Sequence, residues 1–256
     1  MISTSLPRRR ARHLLALLAL GLVAVLAPTA DAAGTGSRIT VLAAASLTEV
    51  FPRIDATPRF SFAGSGALAT QIRQGAPADV FATADPIHTQ RLFDEGLVEK
   101  PVGFAFNRVI LIVPTANPAN IRSVYDLRRS GVKLVIGANS VPVGAYTRTI
   151  LRNLGLSSVL SNVVSQESDV KGVLAKVALG EADAGFVYVT DARAAASQVK
   201  GLAIPVWAQP RVRYEVAVVR STANRAAAAN FVARVRSAKG RAQLKAAGFL
   251  LAPLKR

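Results

Sequence analysis

Ile39-Thr40-Val41-Leu42-Ala43-Ala44-Ala45-Ser46-Leu47 reads as a β-run that stops on a small-residue turn carrying a serine. A second stretch has the same form: Phe60-Ser61-Phe62 leads into Ala63-Gly64-Ser65-Gly66-Ala67. Helix-like sequence follows each turn, so each serine stands where the first N–H groups of a helix lack partners. A hydroxyl beside such donors makes a compact anion site without formal charge. If both turns line one cleft, the chain binds a small oxyanion and leaves it chemically unchanged.

From Arg38 onward, short apolar runs alternate with helical patterns, the mark of βαβ units and parallel sheet. Strands are predicted at 38–43, 60–63, 79–82, 108–113, 133–137, 184–189 and 214–219. Helices are predicted at 67–74, 86–95, 145–154 and 168–179, stopped by Gly75, Gly96, Gly155 and Gly180. In the last of these, Ser168 is the expected N-cap, and Val170, Val173, Leu174 and Val177 recur at helical spacing. The alanine-rich stretch 223–247 reads as two more helices.

Pro114-Thr115-Ala116-Asn117-Pro118 interrupts the pattern, and a fresh βα series begins at Lys133. Arg213–Val219 is a lone β-run leading back into the terminal helices. The expectation is an α/β chain of two lobes joined by two hinge strands, the second lobe inserted in the first. Residues 33–114 with 217–256 form lobe I, and 115–216 form lobe II.

Residues 1–32 have the form of an export signal. Arg8, Arg9, Arg10 and Arg12 precede the apolar run Leu14–Leu26, and Ala30-Asp31-Ala32 is a small-residue cleavage site. The 256 residues include no cysteine, which excludes disulfides, thiolate metal sites and lipidation at an N-terminal cysteine. The mature chain is therefore expected to be periplasmic and not a lipoprotein, with Sec or Tat export left open. The full chain has a net charge of +17, and removing the leader leaves 28 basic and 14 acidic side chains. The basic residues are scattered and aromatics are 6% of the chain, which argues against nucleic acid as the partner.

Two more segments place amides at helix starts: Val141-Pro142-Val143-Gly144 and Ser168-Asp169-Val170. Tyr188 closes the apolar run Ala184-Gly185-Phe186-Val187, at the strand end where ligands bind in open α/β sheets. In these stretches, and in Gly75-Ala76-Pro77-Ala78-Asp79-Val80-Phe81 and Val187-Tyr188-Val189-Thr190-Asp191-Ala192, the sequence resembles the periplasmic molybdate-binding proteins of ABC transporters. The resemblance runs in order along the whole mature chain. It implies a two-lobed periplasmic-binding-protein fold of type II, with each lobe a mostly parallel sheet flanked by helices.

It also implies a ligand shell of the Ser46, Ser65 and Tyr188 hydroxyls with main-chain amides at Ser46, Ser65, Val143 and Val170. These groups would touch the metal only through the oxygens of molybdate or tungstate. No other cofactor is implied, and the expected partner of the monomer is an inner-membrane ABC permease. One departure is that the stretch between Ser46 and Ser65 is shorter than in familiar members, leaving Thr48 to Ala56 room for two helical turns at most.

Taken singly, each residue has an ordinary explanation. Ser46 and Ser65 read as helix caps, Tyr188 as a core aromatic, Val143 and Val170 as packing residues, and Asp79, Asp85 and Asp191 as turn and cap residues. Another tetrahedral anion, such as sulfate or thiosulfate, suits the same donors. A secreted serine hydrolase is the rival from another class, with Ser65 in an elbow-like turn and His88 as base. His88 falls within the helix 86–95, where an exposed histidine is the simpler reading. A ligand-sensing domain of a transcription regulator is disfavoured by the leader.

Overall fold

The computed structural model describes residues 38–251, so the leader at 1–32 lies outside the described residues. The first half of the chain runs β1 (Thr40–Ala44), α1 (Phe51–Ile54), β2 (Arg59–Ala63), α2 (Ser65–Arg73), β3 (Val80–Thr83), α3 (Pro86–Asp94), β4 (Val102–Asn107) and β5 (Val109–Pro114). There follow β6 (Leu134–Gly137), α4 (Pro142–Asn153), β7 (Val163–Glu167), α5 (Val170–Ala178), β8 (Ala184–Tyr188), α6 (Val189–Ala194) and β9 (Val199–Leu202). β10 (Val212–Val218), α7 (Arg225–Arg236) and α8 (Ala238–Ala247) complete the chain. Among the described residues, no helix is long and apolar enough to cross a membrane.

Two five-stranded sheets result, in the orders β2-β1-β3-β10-β4 and β7-β6-β8-β5-β9. β1 pairs in parallel with β2 and β3, and β6 with β7 and β8. β10 runs antiparallel to β3 and β4, and β5 antiparallel to β8 and β9. The fold is therefore mixed α/β and two-lobed, as expected. In each lobe the antiparallel strand is the one that enters from the other lobe.

Sheet membership moves the lobe boundaries. β5, assigned from sequence to lobe I within 33–114, is the fourth strand of the second sheet. β10, which the 216/217 boundary cuts, lies wholly in the first sheet. The crossings are Arg108, between β4 and β5, and residues 203–211 between β9 and β10. The second crossing is not a strand: Pro205 and Pro210 flank a 3-10 turn at Val206–Ala208. Gln209 ties the crossings together, because its side chain accepts from the Val109 amide at 3.1 Å and donates to the Val109 carbonyl at 2.7 Å.

The core of lobe I holds a cluster of aromatic rings. There Phe51, fully buried, meets Phe231 edge-on at 5.5 Å and tilts against Phe104 at 5.8 Å and Phe60 at 6.2 Å. The short α1 is thus anchored by one aromatic residue. The four glycines read as helix stops all take positive φ, from 68° at Gly155 to 80° at Gly75. Ordering these elements sends the carboxyl ends of β1, β2, β3, β6, β7 and β8 to the border between the sheets.

Candidate functional site

Ser46 lies in a 3-10 turn at Ala45–Leu47 straight after β1, and Ser65 is the first residue of α2 straight after β2. Both are buried. The Ser46 hydroxyl lies 2.8 Å from the Tyr214 phenol. When Tyr214 donates, Ser46 keeps its own proton for another acceptor. The Ser65 hydroxyl accepts from the Ala84 amide, at the end of β3, at 3.2 Å, which leaves its proton free as well. Tyr188 ends β8, and its fully buried phenol has no hydrogen-bond partner among the described residues. Burial pushes that phenol well above the ordinary tyrosine range, so it remains protonated and can only gain by donating.

The amides follow from how the helices begin. No side chain caps α2, whose N-cap is Gly64, so the Ser65 amide is left over at its first position. α4 opens on Pro142, which has no N–H, so its first free donor is the Val143 amide; again no side chain caps it. In α5 the Asp169 carboxylate accepts from the Lys171 amide at 2.7 Å and the Gly172 amide at 3.0 Å, leaving that of Val170. The N-cap is thus Asp169, not Ser168, and α2 and α4 begin earlier than the sequence predicts, at Ser65 and Pro142.

All five residues expected at the site, Ser46, Ser65, Val143, Val170 and Tyr188, line one cavity between the lobes. Its volume is about 10 Å³, too small for bulk water. Two glycines explain the closeness. A Cβ on Gly64 in lobe I would stand 2.3 Å from the Ser168 carbonyl oxygen in lobe II, and one on Gly66 would stand 2.7 Å from that of Ser140. Tyr146 of α4 donates to the Ala84 carbonyl at 3.3 Å, and Asn107 to the Thr190 hydroxyl at 3.0 Å, also across the lobes. This is a closed form.

The lining holds no lysine, arginine or histidine, and its one charged residue, Asp169, spends a carboxylate oxygen on its own helix start. The arrangement can surround a compact anion with neutral donors from both lobes. It has no base poised on a nucleophile: the Ser65 hydroxyl is bonded to a backbone amide, whereas Nδ1 of His88 lies 2.9 Å from the Asp85 carboxylate. His88 is half-buried, not exposed as the sequence suggested. Asp85 does cap α3, as read.

Sequence reasoning missed Tyr214, which sets the Ser46 hydroxyl and packs edge-on against Tyr188 at 5.9 Å. Its only signal was a tyrosine in a buried β-run, which needs a polar partner. Asp191, read as a turn and cap residue, does stand in the first turn of α6, and it is a buried carboxylate facing Lys171 at 3.2 Å, which the sequence did not show. Burial pushes this carboxyl up to about 6, against the pull of the lysine.

Residues 39–250 match the family described as bacterial extracellular solute-binding protein. The molybdate-binding protein ModA of Mycobacterium bovis is 41% identical over 249 residues, covering 91% of this chain and 94% of that protein. ModA of Escherichia coli is 33% identical over 209 residues, covering 73% of this chain and 79% of that protein. The solved periplasmic molybdate-binding protein of Azotobacter vinelandii shares the fold, with a TM-score of 0.75 at 24% identity over 84% of this chain and 100% of that one. The relatives are solute carriers and not enzymes, in keeping with a cavity that offers donors but no activated nucleophile. By sequence, by fold and by its donor-lined cleft, the chain belongs to the bacterial extracellular solute-binding proteins.

Proposed function

We propose that this protein captures molybdate, and tungstate with it, outside the cytoplasm and hands it to an ABC permease. The observation that carries the reading is the unpaired, buried Tyr188 phenol in a cavity whose two serine hydroxyls also have protons to give. Molybdate is fully deprotonated at neutral pH, so its oxygens need only donors. Phosphate is partly protonated there and needs an acceptor as well. Ser46, Ser65, Val143, Val170 and Tyr188 supply donors alone, without the desolvation cost of buried ions. The names of the relatives support the same cargo.

Charge-assisted hydrogen bonds contribute about 1.5–3 kcal/mol each, so seven or so offset the cost of immobilising the ion and closing the lobes. Lobe I provides Ser46 and Ser65, and lobe II provides Val143, Val170 and Tyr188. Only the closed form presents both sets, so the ion favours closure. The closed cavity is tight, and its walls must part slightly around the ion. In this reading residues 1–32 are removed on export, and the mature protein is a lipid-free periplasmic monomer. It carries no cofactor besides its cargo and docks in its closed form.

Calorimetry with molybdate, tungstate, sulfate and phosphate tests the cargo. Molybdate and tungstate are expected to bind with submicromolar dissociation constants, and sulfate at least about 100-fold more weakly, a gap of about 2.7 kcal/mol. Equal binding of sulfate and molybdate would remove the assignment. Tyr188→Phe separates binding from folding. Losing the phenol is expected to weaken molybdate binding by about 1–3 kcal/mol while leaving the ligand-free protein as stable as before or more so. Unchanged affinity would mean that the phenol does not reach the ion. Gly64→Ala tests closure: the φ of −62° at Gly64 suits alanine, so the added methyl acts only through its clash with Ser168. Molybdate affinity should fall about tenfold or more with the ligand-free unfolding midpoint nearly unchanged; wild-type affinity would show that binding does not need this approach.

A further inference from the structure

Behind the anion cavity lies a second cleft, of about 300 Å³, which shares Ser46 with it. Into this cleft faces Asp191, in the first turn of α6, three residues after Tyr188. Asp191 is 1% exposed, and its carboxylate has the Lys171 ammonium and the Tyr188 amide set against it. A buried negative charge is costly anywhere, and beside a site for a dianion it also repels the ligand. Burial is the main reason that the Tyr188 and Tyr214 phenols hold their protons tightly, and the Asp191 charge adds to it.

The compensating charge is Lys171. Its ammonium stands 3.2 Å from Asp191 and 3.8 Å from Glu49, which lies across the lobes and just past the Ser46 turn. Its backbone follows Val170, so one residue links a donor-bearing helix start to the carboxylate behind Tyr188. The other charged residues near this pair are less able to compensate. Arg53 and Arg193 border the same cleft but are exposed to water, which screens them. Asp169 adds a further negative charge on the same side.

We propose that Lys171 is a positioning residue for oxyanion binding, its ammonium cancelling the buried Asp191 carboxylate that would otherwise repel the ligand. The inference rests on the oxyanion reading above and adds to it a determinant outside the ligand shell. It also separates the two partners: removing the lysine harms binding, whereas removing the carboxylate does not. An ion pair that only held the fold together would give the same loss from either side.

The test is molybdate calorimetry on the wild type, Lys171→Met, Lys171→Arg, Asp191→Asn and the double variant Lys171→Met/Asp191→Asn, with thermal unfolding of each ligand-free protein. Lys171→Met is expected to weaken binding about tenfold or more, and Lys171→Arg to stay within about threefold of the wild type. Asp191→Asn is expected to bind as tightly as the wild type or more tightly, and the double variant to regain most of the loss. Should Lys171→Met fold poorly, the Asp191→Asn and double variants still decide the matter. The proposal is overturned if Lys171→Met binds like the wild type, if Asp191→Asn weakens binding as Lys171→Met does, or if the double variant shows no recovery. A wild type that binds neither molybdate nor tungstate would instead remove the oxyanion reading, and this inference with it.

Discussion

The first N–H groups of a helix have no acceptor within it, and in this protein three such helix starts meet at one place. α2, α4 and α5 each leave an amide over, at Ser65, Val143 and Val170. Each follows a parallel strand, so the sheets decide where the amides go and the helices decide which way they face. Parallel β1–β2–β3 and parallel β6–β7–β8 end at the same border, and the cavity between them collects donors from both. The serine hydroxyls fit this scheme: the Ala84 amide occupies the oxygen of Ser65, and the Tyr214 phenol, when it donates, occupies that of Ser46. What remains is hydrogen, directed inward.

Neutral donors and lobe closure depend on each other. A site built of lysine or arginine would hold an anion from one side, with water on the other. A site of amides and alcohols is weak until it surrounds its ligand, which requires two walls. The glycines at 64 and 66 let the walls approach, and the bonds from Gln209 to Val109 keep the two crossings in step. The buried charge of Asp191 sits outside the lining with a lysine against it.

Much of the fold was legible in the sequence because its central strands are buried. β1, β3, β5, β6 and β8 are largely buried and read as near-continuous apolar runs, and β10 reads so from Val216 on. The missed strands, β4, β7 and β9, are all sheet edges; β7, Val-Val-Ser-Gln-Glu, is half-exposed, and β9 carries Lys200 and Gly201. The lobe boundary slipped for a related reason. The Pro114–Pro118 turn marks the end of a strand, but only pairing with β8 reveals which sheet that strand serves. Ser46, Ser65 and Tyr188 could be singled out because they lie at or just past strand ends. Tyr214 lies within β10 and touches the site only through another residue, a relation that no local pattern encodes. Asp191 is the helix-start carboxylate it looked like, but only the structure shows it buried against Lys171.

The most direct test is a crystal structure of the protein grown with molybdate, with the metal located by anomalous scattering. A single peak is expected between the lobes, its oxygens within about 3.2 Å of the Ser46, Ser65 and Tyr188 hydroxyls and the Val143 and Val170 amides. A metal held by a carboxylate or a guanidinium, or a cleft occupied only by solvent, would contradict the account.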